Sequence, residues 1–319
     1  MRVILNWFVL VVSIAALISS CKSSDDSSTT TSSGLFIAVG GSGTLLTSSD
    51  GTTWTAQTTG TTNALRAVAY DGSSTLVAVG WSGTILTSSD GTTWTSRTSG
   101  TSKNINNVAY GNNKFIVVGD NGTTLYSSDG ITWTDWTSSC GANDNESFWD
   151  AAYGNSTWVA VGDNGSIYTS DESSCTKRTS GTTVEFNELL FGDSTFVAAG
   201  DNGTVLTSSD GITWNNRTSG TTNNLYGGSY IEWENGDKAH VLIGASGKII
   251  YTRNQGTSWD TWAASSATAN LYGMVRGVGG PWVWVGGSGT IYTSGDDDDD
   301  VTARTSGTTE YLRRVFYKE

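Results

Sequence analysis

The sequence predicts an all-β fold: a seven-bladed β-propeller of four-stranded antiparallel blades, spanning residues 34–319. Three observations predict it. A segment of about 40 residues recurs seven times, each copy carries four short strand-like runs, and the two ends of the repeat region are incomplete in complementary ways.

The segment Val79-Gly80-Trp81-Ser82-Gly83-Thr84 recurs at Gly40, Gly80, Gly119, Gly162, Gly200, Gly244 and Gly286, at spacings of 38 to 44 residues. About ten residues after each glycine comes Ser-Ser-Asp-Gly-x-x-Trp or a relic of it. The acidic position is Asp50, Asp90, Asp129, Asp171 and Asp210, then Asn254, and last a run from Asp296 to Asp300.

Within one copy, Leu65 to Tyr70 alternates as a half-buried strand does, and Leu76 to Val79 is an apolar run. Thr84 to Thr87 and Trp94 to Thr98 complete the set. Gly, Asn, Asp and Ser separate the runs, including the Asn-Gly and Asp-Gly pairs of tight hairpins. Four antiparallel strands in such a unit make a propeller blade. The first copy begins at Leu35 and lacks its first strand. The chain ends with Leu312-Arg313-Arg314-Val315-Phe316-Tyr317, which matches Leu65 to Tyr70 and is expected to complete the first blade. Such closure removes open sheet edges.

Composition agrees. The chain has 319 residues, 36% of them hydrophobic and only 15% charged. Its 91 Ser and Thr residues fill the polar share, while 14 Trp and a single Pro argue against disorder. A formal charge of −13 disfavours a nucleic-acid partner, which needs a basic footprint.

The first 20 residues read as a secretory signal: Met1-Arg2, an apolar run from Val3 to Ile18 broken by Asn6 and Ser13, then small residues. The run is short for a transmembrane helix. Ile18-Ser19-Ser20-Cys21 resembles the bacterial lipobox, which implies acylation at Cys21 and a lipid-anchored protein of the cell envelope, at the outer membrane. Residues 21–33, rich in Ser, Thr and Asp, read as a flexible tether. In an oxidising compartment, Cys140 and Cys175 form a candidate disulfide. Repeat bookkeeping puts them near opposite ends of neighbouring outer strands, awkward for a bond, while a four-residue enlargement around Cys140 gives its loop room to fold over.

The Ser-x-Asp-Gly-x-x-Trp hairpins together with Val-Gly-x-x-Gly-Thr resemble the Asp-box, or BNR-type, repeats of sialidases, xyloglucan hydrolases, sortilin-type receptors and photosystem II assembly factor-like propellers. The resemblance covers residues 35 to 319. Four copies, at Asp50, Asp90, Asp129 and Asp210, have one residue fewer between Asp and Trp than the usual box; Thr252 to Trp259 has full length but Asn254 for Asp. The resemblance implies that this hairpin joins the two outer strands, away from any active site. Its residues give it a physical job: a short acceptor caps the turn amides and the Trp plugs between strands.

The chemistry is sparse. Arg97, Arg178, Arg217 and Arg304 recur in Arg-Thr-Ser-Gly on the outermost strand, so they cannot converge on one substrate as a sialidase requires. His240 is the only histidine and aligns with Phe36, Leu76, Phe115, Trp158, Phe196 and Trp282, which reads as a core or edge substitute. One His without clustered thiols supports neither a catalytic triad nor a zinc site, and no cofactor is expected. Asp296 to Asp300 reads as a solvated turn, with calcium binding as its functional alternative.

Differences among the copies carry the functional signal. On the innermost strand the second and third positions vary: Arg66-Ala67, Asn106-Asn107, Trp149-Asp150, Asn187-Glu188, Tyr226-Gly227, Tyr272-Gly273 and Arg313-Arg314. The hairpin between second and third strands, at the same face, carries Gly41, Trp81, Asp120, Asp163, Asp201, Ala245 and Gly287. One side of the face is therefore expected to be acidic, and the other basic and aromatic. Alternation along a strand implies that not all of these side chains face the channel.

The primary expectation is a non-catalytic, monomeric recognition platform for a glycan or a protein or peptide ligand. Its contacts are Arg66, Trp81, Trp149, Tyr226, Tyr272, Arg313 and Arg314. The alternatives are a glycoside hydrolase using Asp150 and Glu188, about 8 Å apart on neighbouring strands as in inverting enzymes, and a purely structural cell-surface protein.

Overall fold

The computed structural model describes residues 34–137, 146–172, 174–233, 235–262, 267–295 and 301–319. The signal and tether, Cys21, Cys140 and the Asp296–Asp300 loop lie outside the described residues. Twenty-eight strands, β1 (Leu35–Gly40) to β28 (Leu312–Lys318), form seven four-stranded antiparallel sheets, and no α-helix occurs among the described residues. The innermost strands are β28, β4 (Leu65–Tyr70), β8 (Ile105–Gly111), β12 (Phe148–Gly154), β16 (Phe186–Gly192), β20 (Leu225–Glu232) and β24 (Leu271–Arg276), in blades 1 to 7. Each packs on its neighbours all the way round the ring.

Closure follows the expected pairing. β28 pairs antiparallel with β1 from Leu35↔Lys318 to Val39↔Arg314, so the last strand of the chain is the inner strand of the first blade. The second strand of each blade is covered on both faces by neighbouring blades, which is why it reads as an unbroken apolar run: Leu76–Gly80 is buried throughout. Seven apolar clusters result, one at each seam between blades, and they form the core.

The outer hairpins close those seams. Ser48 Oγ donates to Asp50 and accepts from the Gly51 amide at 2.8 Å, while the Asp50 carboxylate accepts the Thr52 and Thr53 amides at 2.7 and 2.8 Å. The same pattern recurs at Asp90, Asp129 and Asp210. These turn bonds hold the carboxyls of Asp50 and Asp90 far below the usual carboxylate range. Each Trp then reaches back to the turn, as Trp54 Nε1 does to Gly51 O at 3.0 Å. Its ring packs into the seam with the preceding blade; Trp54, for example, joins Val283 and Val285 of blade 7. The plug that the sequence pattern places between strands thus lies between blades. On the outermost strands Arg97, Arg178, Arg217 and Arg304 each donate Nε to a Thr hydroxyl of the third strand at 2.7–2.8 Å, a uniform scaffold contact.

The Val-Gly-x-x-Gly-Thr motif has a steric origin. A Cβ on Gly80 would lie 2.1 Å from the Ala64 carbonyl oxygen, at the entry to the inner strand. Two residues on, Ser82 adopts φ 54°, and Gly83 at φ 69° passes so close to the Thr101 carbonyl that a Cβ would sit 2.0 Å from it. The hairpin is thereby held between the start of its own inner strand and the loop that leads into the next blade.

Candidate functional site

Every inner strand breaks register at its second position. Leu65 pairs with Gly80 and Ala67 with Val79, leaving Arg66 as an extra residue. The same bulge isolates Asn106, Trp149, Asn187, Tyr226, Tyr272 and Arg313. A bulge re-aims side chains and suspends strict alternation. Consecutive residues therefore both project into the channel, contrary to the expectation from alternation: Arg313 and Arg314 each contact other blades across it.

Arg314 crosses the lumen from blade 1. Its Nη1 meets Glu188 at 2.6 Å and its Nη2 meets Asp150 Oδ2 at 2.9 Å. Asp150 is further consumed by the Ala151 and Leu189 amides at 2.8 and 2.9 Å. Both carboxylates are almost wholly buried, Asp150 at 3% exposure and Glu188 at 2%. Burial raises the Glu188 carboxyl, with the charge of Asp150 adding to it and Arg314 opposing. Burial alone would depress Arg314, and Glu188 and Asp150 more than reverse that.

At the third inner position the two sides meet: Arg314 crosses to Asp150 and Glu188 and they neutralise one another, while the aspartates of blades 3 to 5 and the Tyr and Arg residues of the other blades stay segregated at the layer above. The expected gap between Asp150 and Glu188 is filled by a guanidinium, where an inverting hydrolase holds water and sugar. Glycines let neighbouring inner strands approach closely at this level. A Cβ on Gly273 would lie 2.8 Å from the Arg314 Cα, and one on Gly227 2.1 Å from the Tyr272 carbonyl oxygen.

Above this plug lies a layer formed by the bulge residues. In blades 3 to 5 the hairpin aspartate binds the bulge residue of its own blade. Asn106 Nδ2 donates to Asp120 at 2.9 Å, Trp149 Nε1 to Asp163 at 2.7 Å, and Asn187 Nδ2 to Asp201 at 3.0 Å. Glu185 stands beside them, its carboxyl raised by burial and by the charges of Asp163 and Asp201.

In blades 6, 7, 1 and 2 the hairpin residue is Ala245, Gly287, Gly41 or Trp81, and the bulge residue is a Tyr or Arg free of any such tether. Tyr226 and Tyr272 pack with ring centres 5.4 Å apart, and Arg313 lies over Tyr272 at 5.6 Å. Arg313 Nη1 also donates to the Tyr226 carbonyl at 3.1 Å. Arg66 reaches over the ring of Trp149 at 5.5 Å, which brings non-adjacent blades into one cup. Trp81 stands at the rim, 43% exposed.

Thus the seven expected contact residues divide by depth. Arg314 is the floor, Arg66, Trp149, Tyr226, Tyr272 and Arg313 are the half-buried wall, and Trp81 is the exposed lip. Pairing of a hairpin Asp with a donor at the bulge was visible in the sequence, because Asn106, Trp149 and Asn187 occur in the three blades that carry it, but strand periodicity gave no reason to connect the two.

Elsewhere, His240 is buried at 2% exposure against Tyr230, ring centres 5.0 Å apart, and burial lowers its pKa to about 4. Cys175 is disulfide-bonded, to a partner outside the described residues. Among the described residues no group of His, Cys, Asp and Glu is arranged to hold a metal ion.

Fold and site together define a ring-closed propeller with a plugged channel and one cationic, aromatic cup. Solved structures share that fold at low identity. YCF48 bound to a D1 peptide aligns with a TM-score of 0.59 at 18% identity, covering 76% of this chain and 80% of that one. YCF48 from Cyanidioschyzon merolae aligns at 0.58 and 15%, covering 77% and 86%. A catalytically inactive virginiamycin B lyase from Staphylococcus aureus, with quinupristin, aligns at 0.65 and 9%, covering 76% and 84%. No family model and no curated protein matches the chain.

Proposed function

We propose that the propeller is a non-catalytic recognition platform and that the cup takes a peptide segment of a protein partner. The observation that carries this is the division of the bulge layer. Three blades fix their bulge residue with an aspartate, while four present Tyr and Arg side chains without an aspartate tether, beside an exposed Trp. Rigid aromatic rings with adjacent guanidiniums bind ligand at low entropic cost, which is why Trp, Tyr and Arg dominate binding hot spots. The similarity to a propeller that holds a peptide supports the same reading, although it rests on fold.

A glycosidic role for Asp150 and Glu188 is disfavoured by the guanidinium between them. The N-terminal pattern places this platform, in our reading, on a lipid anchor at Cys21 in a bacterial cell envelope. Screening residues 22–319 on peptide and glycan arrays, beside an Arg66→Ala/Trp149→Ala variant, tests the platform. We expect peptide binding that the variant loses. Binding unchanged in the variant would move the site elsewhere, and binding confined to glycans would reject the peptide.

A further inference from the structure

We infer that the ligand of this cup presents a carboxylate, which seats between Arg66 and Arg313. The inference rests on the recognition reading above and names the chemical group that the site takes.

The lumen holds three guanidiniums, and one of them uses both of its buried carboxylates. Arg314 is paired to Asp150 and Glu188. Arg66 and Arg313 form no ion pair among the described residues. Both come from bulge positions on adjacent inner strands, which pack against each other; Arg66 leans towards blade 4 and Arg313 towards blades 6 and 7, and the charge of Arg66 still reaches Arg313 across the space between them. Their present partners are weak ones for buried cations. Arg66 lies over the Trp149 ring beside the Tyr311 hydroxyl, and its buried Nε has no hydrogen-bond acceptor. Arg313 has the Tyr272 ring and one backbone carbonyl. The acidic side chain whose charge reaches Arg66, Asp120, already accepts from Asn104 and Asn106 at 2.8 and 2.9 Å.

Two like charges held close in a partly dry cup repel, and burial penalises each. Burial, followed by the charges of Arg66 and Arg314, pushes Arg313 down to about 9 against the smaller opposing pull of Glu188 and Asp150, both already paired to Arg314, so it remains protonated at neutral pH with its cost only partly offset. An anion placed between them removes both penalties and supplies the missing acceptor for the Arg66 Nε. A carboxylate fits best, because its two oxygens match the planar donor forks of two guanidiniums. Tyr226, Tyr272 and Trp81 then offer apolar surface to the residues beside it. The source of the carboxylate is a peptide C-terminus or an Asp or Glu side chain.

The test works without an identified partner. A synthetic random decapeptide library without acidic residues is presented as free acids and again as C-terminal amides, and a third set is amidated but carries one internal Asp or Glu. Wild-type protein is screened on all three, and dissociation constants of the strongest hits are measured by fluorescence anisotropy. We expect carboxylate-bearing peptides to bind and removal of the carboxylate from a hit to weaken it at least tenfold. Comparison of the first and third sets tells terminal from side-chain carboxylate. Arg66→Met and Arg313→Met should each weaken the hit at least tenfold, and Arg97→Met on the outer strand should not. Amidated, acid-free peptides binding as tightly as the acids would overturn the carboxylate and leave the platform standing. Failure of all three sets to bind wild-type protein would overturn both.

Discussion

Removing the guanidinium of Arg314 should do more damage to this protein than loss of any other charged side chain in the channel. In Arg314→Met the strand ladder between β1 and β28 is untouched, but Asp150 and Glu188 lose the one cation between them. Asp150 keeps two backbone amides, at 2.8 and 2.9 Å, whereas Glu188 keeps none that the structure shows. Breaking a buried pair from one side costs about 3–5 kcal/mol, because it strands a charge in a poorly polarisable interior. For a propeller unit running from Ser33 to Glu319 each kcal/mol moves Tm by roughly 2 °C, so a fall on the order of 10 °C is expected.

The sign with pH gives the sharper reading. A buried carboxyl already raised by burial rises further when Arg314 is gone. The folded state then binds a proton that the unfolded chain, with an ordinary Glu, releases at lower pH. Stability of the variant should therefore recover as pH falls from about 8 towards 5 and be lost as it rises. Arg314→Met/Glu188→Gln should regain most of the loss at neutral pH. Urea unfolding followed by Trp fluorescence at pH 5.5 and 8 measures all three proteins. A loss below about 1 kcal/mol for Arg314→Met, or one that ignores pH, would refute the account of the plug.

Three further outcomes are expected. His240, depressed to about 4 by burial, is neutral when folded but protonates readily when unfolded, so stability should decline as pH falls from 6.5 to about 4. That decline, up to roughly 3 kcal/mol, should vanish in His240→Phe, as urea titrations across the range would show. Gly80→Ala puts a Cβ 2.1 Å from the Ala64 carbonyl and should cost more than the roughly 1 kcal/mol typical of substitutions, whereas Gly100→Ala, with open space around its Cβ position but φ 78°, should cost only backbone strain. Thermal melts rank the two. Cys21→Ser should abolish palmitate labelling of the expressed chain in a bacterial host and release the protein from the membrane fraction; labelling that persists would remove the anchor from this account.

Why the fold was legible and the site only half so comes down to which residues repeat. Gly80 and its six counterparts answer one steric demand seven times over, and Trp54, Trp94 and Trp133 fill equivalent seams, so period alone exposes them. The same reasoning pointed to the second and third inner positions because they do not repeat. Which way they point was not readable, since a one-residue bulge leaves no mark in a hydrophobic pattern that resumes on either side of it. Nor was the trans-lumen reach of Arg314, because its partners Glu188 and Asp150 lie 126 and 164 residues away in sequence and no local pattern joins them.

The bulge nevertheless accounts for the variation that was seen. Freed from the ladder, its side chain must find a partner of its own. In blades 3 to 5 that partner is the aspartate one hairpin away, and Asn, Trp and Asn follow because each has an N–H to give. In blades 6, 7, 1 and 2 no such acceptor exists, so the position is released from the scaffold. A ring built from seven near-copies thus becomes asymmetric through one hairpin residue per blade, and the side chains set free by its loss form the cup together with the aspartate-held Trp149.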